Sequence, residues 1–174
     1  MTAAQDDLGV VATALVHADT APPSPAGFFG SDFAPLVQAA VHECLGDPRS
    51  AHLLTGAGDR VAIVLGSCRF DTTSLELSVD QVAGGRVSPI LFYQVLPTAI
   101  LGHLARAYGI TGPVSCVAAT GDARTEVLDT ARVLLADDCA DLVLGITVEL
   151  DPDPAKAFAR ADLVRSAPGG RTET

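Results

Sequence analysis

The sequence predicts an α/β fold in which a mainly parallel, mixed sheet carries helices on both faces. Two observations predict it. Four short runs are apolar and rich in β-branched residues: LGVVATALVH from Leu8, VAIVL from Val61, VSCVAA from Val114, and DLVLGITVEL from Asp141. Continuous apolar runs of this kind mark strands buried on both faces. The segments between them space their apolar residues as helices do, and alternating strands and helices build a sheet covered by helices.

The elements follow in order. After the first strand, Pro22, Pro23, Pro25, Gly27 and Gly30 mark a loop. Asp32 is placed to cap the helix FAPLVQAAVHECL, and Gly46 to end it. The strand at 61–65 leads to an amphipathic helix over 71–82, broken by Gly84-Gly85. Residues 92–107 read as one mostly buried helix with Pro97 in its first turn, ended by Gly109, Gly112 and Pro113. A strand at 114–119 precedes a helix over 122–136, whose Asp122 and Glu126 suit its amino-terminal end. Past the strand from Asp141, proline, glycine and charge predict a short helix over 154–163 and a flexible tail.

With 174 residues, 48% of them apolar and 18% charged, the chain suits a single globular domain with a sizeable core. Its formal net charge of −10 argues against nucleic acid and anionic membranes as partners. It also disfavours direct docking of acidic carrier proteins unless a local basic patch exists. No run of uncharged apolar residues is long enough to span a bilayer. The start, MTAAQDDLGVV, lacks a basic leader region, so a cytoplasmic location is the default expectation.

Cys44, Cys68, Cys116 and Cys139 form no C-x-x-C pair, and only His42 lies near one of them. That excludes a metal site and leaves four small buried hydrophobes as the expectation. Cys68 is the best reactive-thiol candidate, because adjacent Arg69 would favour its thiolate; otherwise it is a loop residue beside a solvated Arg69–Asp71 pair. His103 could serve chemistry but reads first as a structural side chain in a buried helix. The glycines of LTGAGDR precede a strand rather than a helix, which excludes a phosphate loop. No cofactor is implied.

From Ser88 to Glu149 the chain resembles the ketosynthases, the condensing enzymes of fatty-acid and polyketide synthesis. Ser88-Pro89, Leu101-Gly102-His103, Tyr108-Gly109, Gly112-Pro113, Ala140-Asp141 and Glu149 stand in the family's order without a gap. VAIVLGS and LGVVATALVH resemble its upstream strands, so the likeness covers residues 8–150. It implies a thiolase-like half-domain, the amino-terminal half, over 1–150, with the short helix and tail over 151–174.

In that family a cysteine at the amino terminus of a buried helix takes the acyl group, its thiolate favoured by the helix dipole and free backbone amides. Gapless counting places Gly121 there. Chain length factors also lack the cysteine, usually having glutamine. The family's two histidines come from a second half-domain beyond the span of this chain. The resemblance therefore implies a noncatalytic, chain-length-factor-like subunit that pairs with a catalytic ketosynthase or with itself, and meets an acyl carrier protein only indirectly. The pairing strand would be Val114, Ser115, Cys116, Val117 and Ala118. The alternatives are a small acyl-transfer or hydrolytic enzyme using Cys68 or His103, and a homodimeric scaffold.

Overall fold

A computed structural model describes residues 7–20, 23–50 and 52–167. Five strands form one sheet: β1 (Leu8–His17), β2 (Val61–Ser67), β3 (Val114–Ala118), β4 (Leu142–Glu149) and β5 (Phe158–Ser166). The spatial order is β1-β5-β4-β2-β3. β2 pairs in parallel with β3 and β4, while β5 runs antiparallel to both β4 and β1.

The pleat divides the central strands between two cores. Val61, Ile63 and Leu65 of β2, with Leu144, Ile146 and Val148 of β4, face helices α1 (Phe33–Leu45) and α4 (Pro97–Tyr108). The alternate residues Ala62, Val64 and Val143 face α5 (Ala123–Ala136) through Val127 and Ala131. Large side chains fill the first core and small ones the second, so α5 lies close against the sheet. Gly66 and Gly145 take this furthest. A Cβ on Gly66 would overlap Val127 Cγ2, and one on Gly145 would come within 2.9 Å of Val127 Cγ1.

Several expectations change in the structure. β5 replaces the short helix expected at 154–163, so the sheet extends past residue 150. Ala159, Ala161 and Leu163 alternate with Arg160 and Asp162, which is a strand's period of two. The flexible tail lies outside the described residues from 168 onward. β1 is a strand but not a fully buried one: it is an edge, and Val10 and Leu15 are exposed.

The single helix expected at 92–107 is two, α3 (Pro89–Gln94) and α4, because Leu96 before Pro97 is held extended (ψ 120°). Ser31 caps α1 where Asp32 was expected: its Oγ accepts from Ala34 N at 2.9 Å, and Asp32 makes no side-chain cap. The Arg69–Asp71 pair does not form. Asp71 is buried, caps α2 (Thr72–Ala83) by accepting from Ser74 N, and accepts the Ser31 hydroxyl at 2.6 Å. α2 is amphipathic as expected, yet it buries only Ser74 and leaves Leu75, Val79 and Val82 exposed.

The Val127 seat yields a prediction. Gly66→Ala should destabilise the fold by about 1–3 kcal/mol through overpacking. In a Val127→Ala background the same change should cost much less, because the overlapping methyl is gone. Urea unfolding of the two single variants and the double variant checks this; additive losses would contradict the seat.

Candidate functional site

The turn from β3 into α5 brings Gly121 to the amino terminus of a helix packed against the sheet. A catalytic turn of this kind depends on unengaged amides that can stabilise an anion. Here the amides carry carboxylates of the same chain. Glu126 Oε1 accepts from Thr120 N at 3.0 Å and from Gly121 N at 2.9 Å. Asp122 Oδ1 accepts from Thr125 N at 2.7 Å, and this capping together with the Thr125 hydroxyl holds the Asp122 carboxyl below its ordinary range. Gly121 itself has room for a side chain: a Cβ there would sit 3.6 Å from Glu126 Oε1.

Cys68, just past the end of β2, lies directly across from this turn. Its Sγ approaches the Gly121 carbonyl at 3.6 Å, and its backbone N donates to Glu149 Oε1 at 2.8 Å. The thiol is exposed, contrary to the buried hydrophobe expected, and so is Cys139. The neighbourhood works against a thiolate. The Glu149 carboxylate, first through a hydrogen bond and then through its charge, pushes the Cys68 pKa up, and Arg69 offsets only part of this. The other sequence candidates lie elsewhere. His103 is on α4, edge-on to Phe28 at 5.9 Å, with burial and Arg106 lowering its pKa. Cys116 sits within β3 beside Leu65 of β2, its pKa raised by burial. The structure therefore joins Cys68 to Gly121 and leaves His103 and Cys116 apart from them.

Sequence reasoning missed an ion cluster next to the turn. Asp162 of β5 is buried, accepts from Arg124 Nε of α5 at 2.8 Å and from Thr13 Oγ1 of β1 at 2.7 Å, and contacts Arg160 Nε at 3.2 Å. Burial pushes its carboxyl up, but Arg124, Thr13 and Arg160 together outweigh this and hold it below the ordinary range. The charges of Arg160 and Asp162, which made this stretch look like a surface helix, are the signal that marked the cluster. Arg124 and Arg160 line a cleft of about 480 Å³ that also contains Cys68, Gly121 and Glu149. Among the described residues no group of histidine, cysteine and carboxylate side chains is arranged to hold a metal ion.

No protein-family model matches the sequence, and no curated protein matches it. Solved structures match in fold. One is a ketosynthase in complex with its chain length factor from Xenorhabdus doucetiae, with a TM-score of 0.72 and 17% identity over 94% of this chain and 80% of that chain. Another is the ishigamide ketosynthase/chain length factor, with a TM-score of 0.74 and 14% identity over 95% of this chain and 63% of that chain. A third is a type II polyketide synthase acyl-carrier protein in complex with its ketosynthase, with a TM-score of 0.70 and 14% identity over 92% and 63%. The fold is that of the thiolase-like ketosynthases. The chain spans four fifths of the first of these matched chains and under two thirds of the other two. Within this fold Gly121 offers no side chain, and Glu149 pushes up the pKa of the nearby Cys68 thiol.

The Cys68–Glu149 contact sets a pH dependence. Iodoacetamide should label Cys68 with a midpoint above that of an ordinary thiol. Glu149→Gln removes the charge opposing the thiolate, so the midpoint should fall and labelling near pH 8 should quicken. Peptide mass spectrometry of the time course reads both; an unchanged midpoint would show that Glu149 does not control this thiol.

Proposed function

We propose that the chain is a noncatalytic ketosynthase-like subunit, akin to a chain length factor, that pairs with a catalytic ketosynthase in polyketide-, polyene- or fatty-acid-type biosynthesis. The observation that carries the reading is the β3–α5 turn. The ketosynthase resemblance puts the nucleophile at Gly121, and in this fold the amides of Thr120 and Gly121 already bind Glu126. A turn with no nucleophile and with engaged amides supports a partner role over an acyl-transfer one. The raised pKa of Cys68 argues the same way against the enzyme alternative.

Two surfaces support the pairing. Among the described residues β3 is an edge of the sheet, bonded only to β2, and no charged residue lies between Gly112 and Gly121. Natural proteins cover or charge such edges. The second surface is the α2–α3 hairpin, where Leu75, Val79, Val82, Ile90, Phe92 and Tyr93 are all exposed. So much exposed apolar area on neighbouring helices is characteristic of an interface. Ketosynthase and chain length factor are paired in the matched complexes, and that pairing favours a ketosynthase over a second copy as the occupant.

Size-exclusion chromatography with light scattering, on the chain alone and mixed with a candidate catalytic ketosynthase, tests this. The mixture should give a stable complex. Val117→Asp and Val114→Asp should each break it, since an unpaired buried charge costs about 3–5 kcal/mol. Val114 is 45% exposed in the isolated chain, so that variant should fold as well as the wild type. A wild type that binds no ketosynthase would overturn the subunit reading. A complex that survives both substitutions would remove β3 from the interface.

A further inference from the structure

We propose that the cleft between β1, β5 and the start of α5 is a binding site for a small apolar carboxylate, such as a medium-chain acid. The cleft has a volume of about 480 Å³, within the roughly 300–1,000 Å³ typical of small-molecule sites. Leu15 of β1, Phe158 of β5 and Ala123 of α5 give it apolar walls. Arg124 and Arg160 give it cationic groups.

The two arginines are held as a fixed pair. Each directs Nε at the buried carboxylate of Asp162, Arg124 at 2.8 Å and Arg160 at 3.2 Å. A guanidinium has five N–H donors, and anchoring through Nε leaves the Nη edge for a second acceptor. Arg124 makes no further bond among the described residues, and Arg160 adds only a long contact to Thr13 Oγ1 at 3.4 Å. Preorganised arginines of this sort suit a carboxylate, which they can bind in a bidentate fork.

Acidic residues also line the cleft, and one oxygen of each serves an internal donor. Asp122 holds the Thr125 amide and hydroxyl, and Glu149 holds the Cys68 amide. The unmatched donors belong to the cations. The adjoining wall carries one more unmatched polar atom, Nδ1 of His17, which is buried without a partner among the described residues. The site is separate from β3 and from the α2–α3 surface, so its ligand is measured on the isolated chain and its failure leaves the subunit reading standing.

Isothermal titration of the isolated chain with octanoate, and with octanol as the uncharged control, tests the proposal. Octanoate should saturate one site, and octanol should bind at least about tenfold more weakly, the scale of a lost charged hydrogen bond. Arg124→Gln and Arg160→Gln should each weaken octanoate by about the same factor. Because either change could loosen the Asp162 cluster, a second readout uses the wild type. Octanoate should slow alkylation of Cys68, which lines the cleft, and leave Cys139, exposed elsewhere, unaffected. No saturation by about 10 mM octanoate would overturn the proposal. So would octanol binding equal to octanoate, or equal slowing at both cysteines.

Discussion

Val127 of α5 sits in a seat made by Gly66 of β2 and Gly145 of β4, and the rest of the structure depends on this contact. Two adjacent parallel strands give up their side chains two residues apart in register, Gly145 opposite Val64 and Gly66 opposite Thr147, and a helix comes down to the depth of a backbone. This single approach fixes where α5 begins. It therefore fixes Gly121, Asp122 and Ala123 against the ends of β2 and β4, and it brings Cys68 within reach of the Gly121 carbonyl. It also sets Arg124, one turn back from Val127, above Asp162 of β5. The turn and the ion cluster are both consequences of how closely one helix packs.

What the seat positions is a helix terminus that serves its own structure. The positive end of α5 is answered within the chain, by Asp122 as the cap and by Glu126 folding back on two amides. Such groups stabilise a helix by the same electrostatics that a catalytic turn uses to stabilise an anion. Glu149 acts likewise on Cys68, binding its amide and opposing its ionisation. Three carboxylates thus engage the amides around this turn.

Most of the sheet was legible in the sequence, because β2, β3 and β4 are apolar runs with turns at their ends. The doubly covered strands are the easiest to read, since burial on two faces leaves no polar positions. β5 was not legible. Its α5-facing side carries Arg160 and Asp162, and these charges hid the alternation of Ala159, Ala161 and Leu163. Only the tertiary pairing with Arg124 and Thr13 makes a buried Asp162 tolerable, and no local pattern shows that pairing. α2 misled differently: its apolar stripe was readable, but periodicity cannot say whether a stripe faces the chain's own core or a partner's. At the site, Gly121 and Cys68 were each singled out from sequence, whereas their adjacency and the engagement of Glu126 and Glu149 required the fold.

The two ends of the sheet are finished differently. At the β1–β5 end Arg124 and Arg160 pair with Asp162 beside the exposed Val10 and Leu15, while β3 carries no charge; on another face the α2–α3 hairpin exposes Leu75, Val79, Val82, Ile90, Phe92 and Tyr93. The uncharged β3 edge and the α2–α3 hairpin are the surfaces proposed for the partner. Hydrogen–deuterium exchange of the chain with and without a candidate ketosynthase tests that proposal most directly. The account predicts slowed exchange at 114–118 and across 72–96, with 8–17 unchanged. Unchanged exchange over 114–118 and 72–96 at saturating ketosynthase would contradict it.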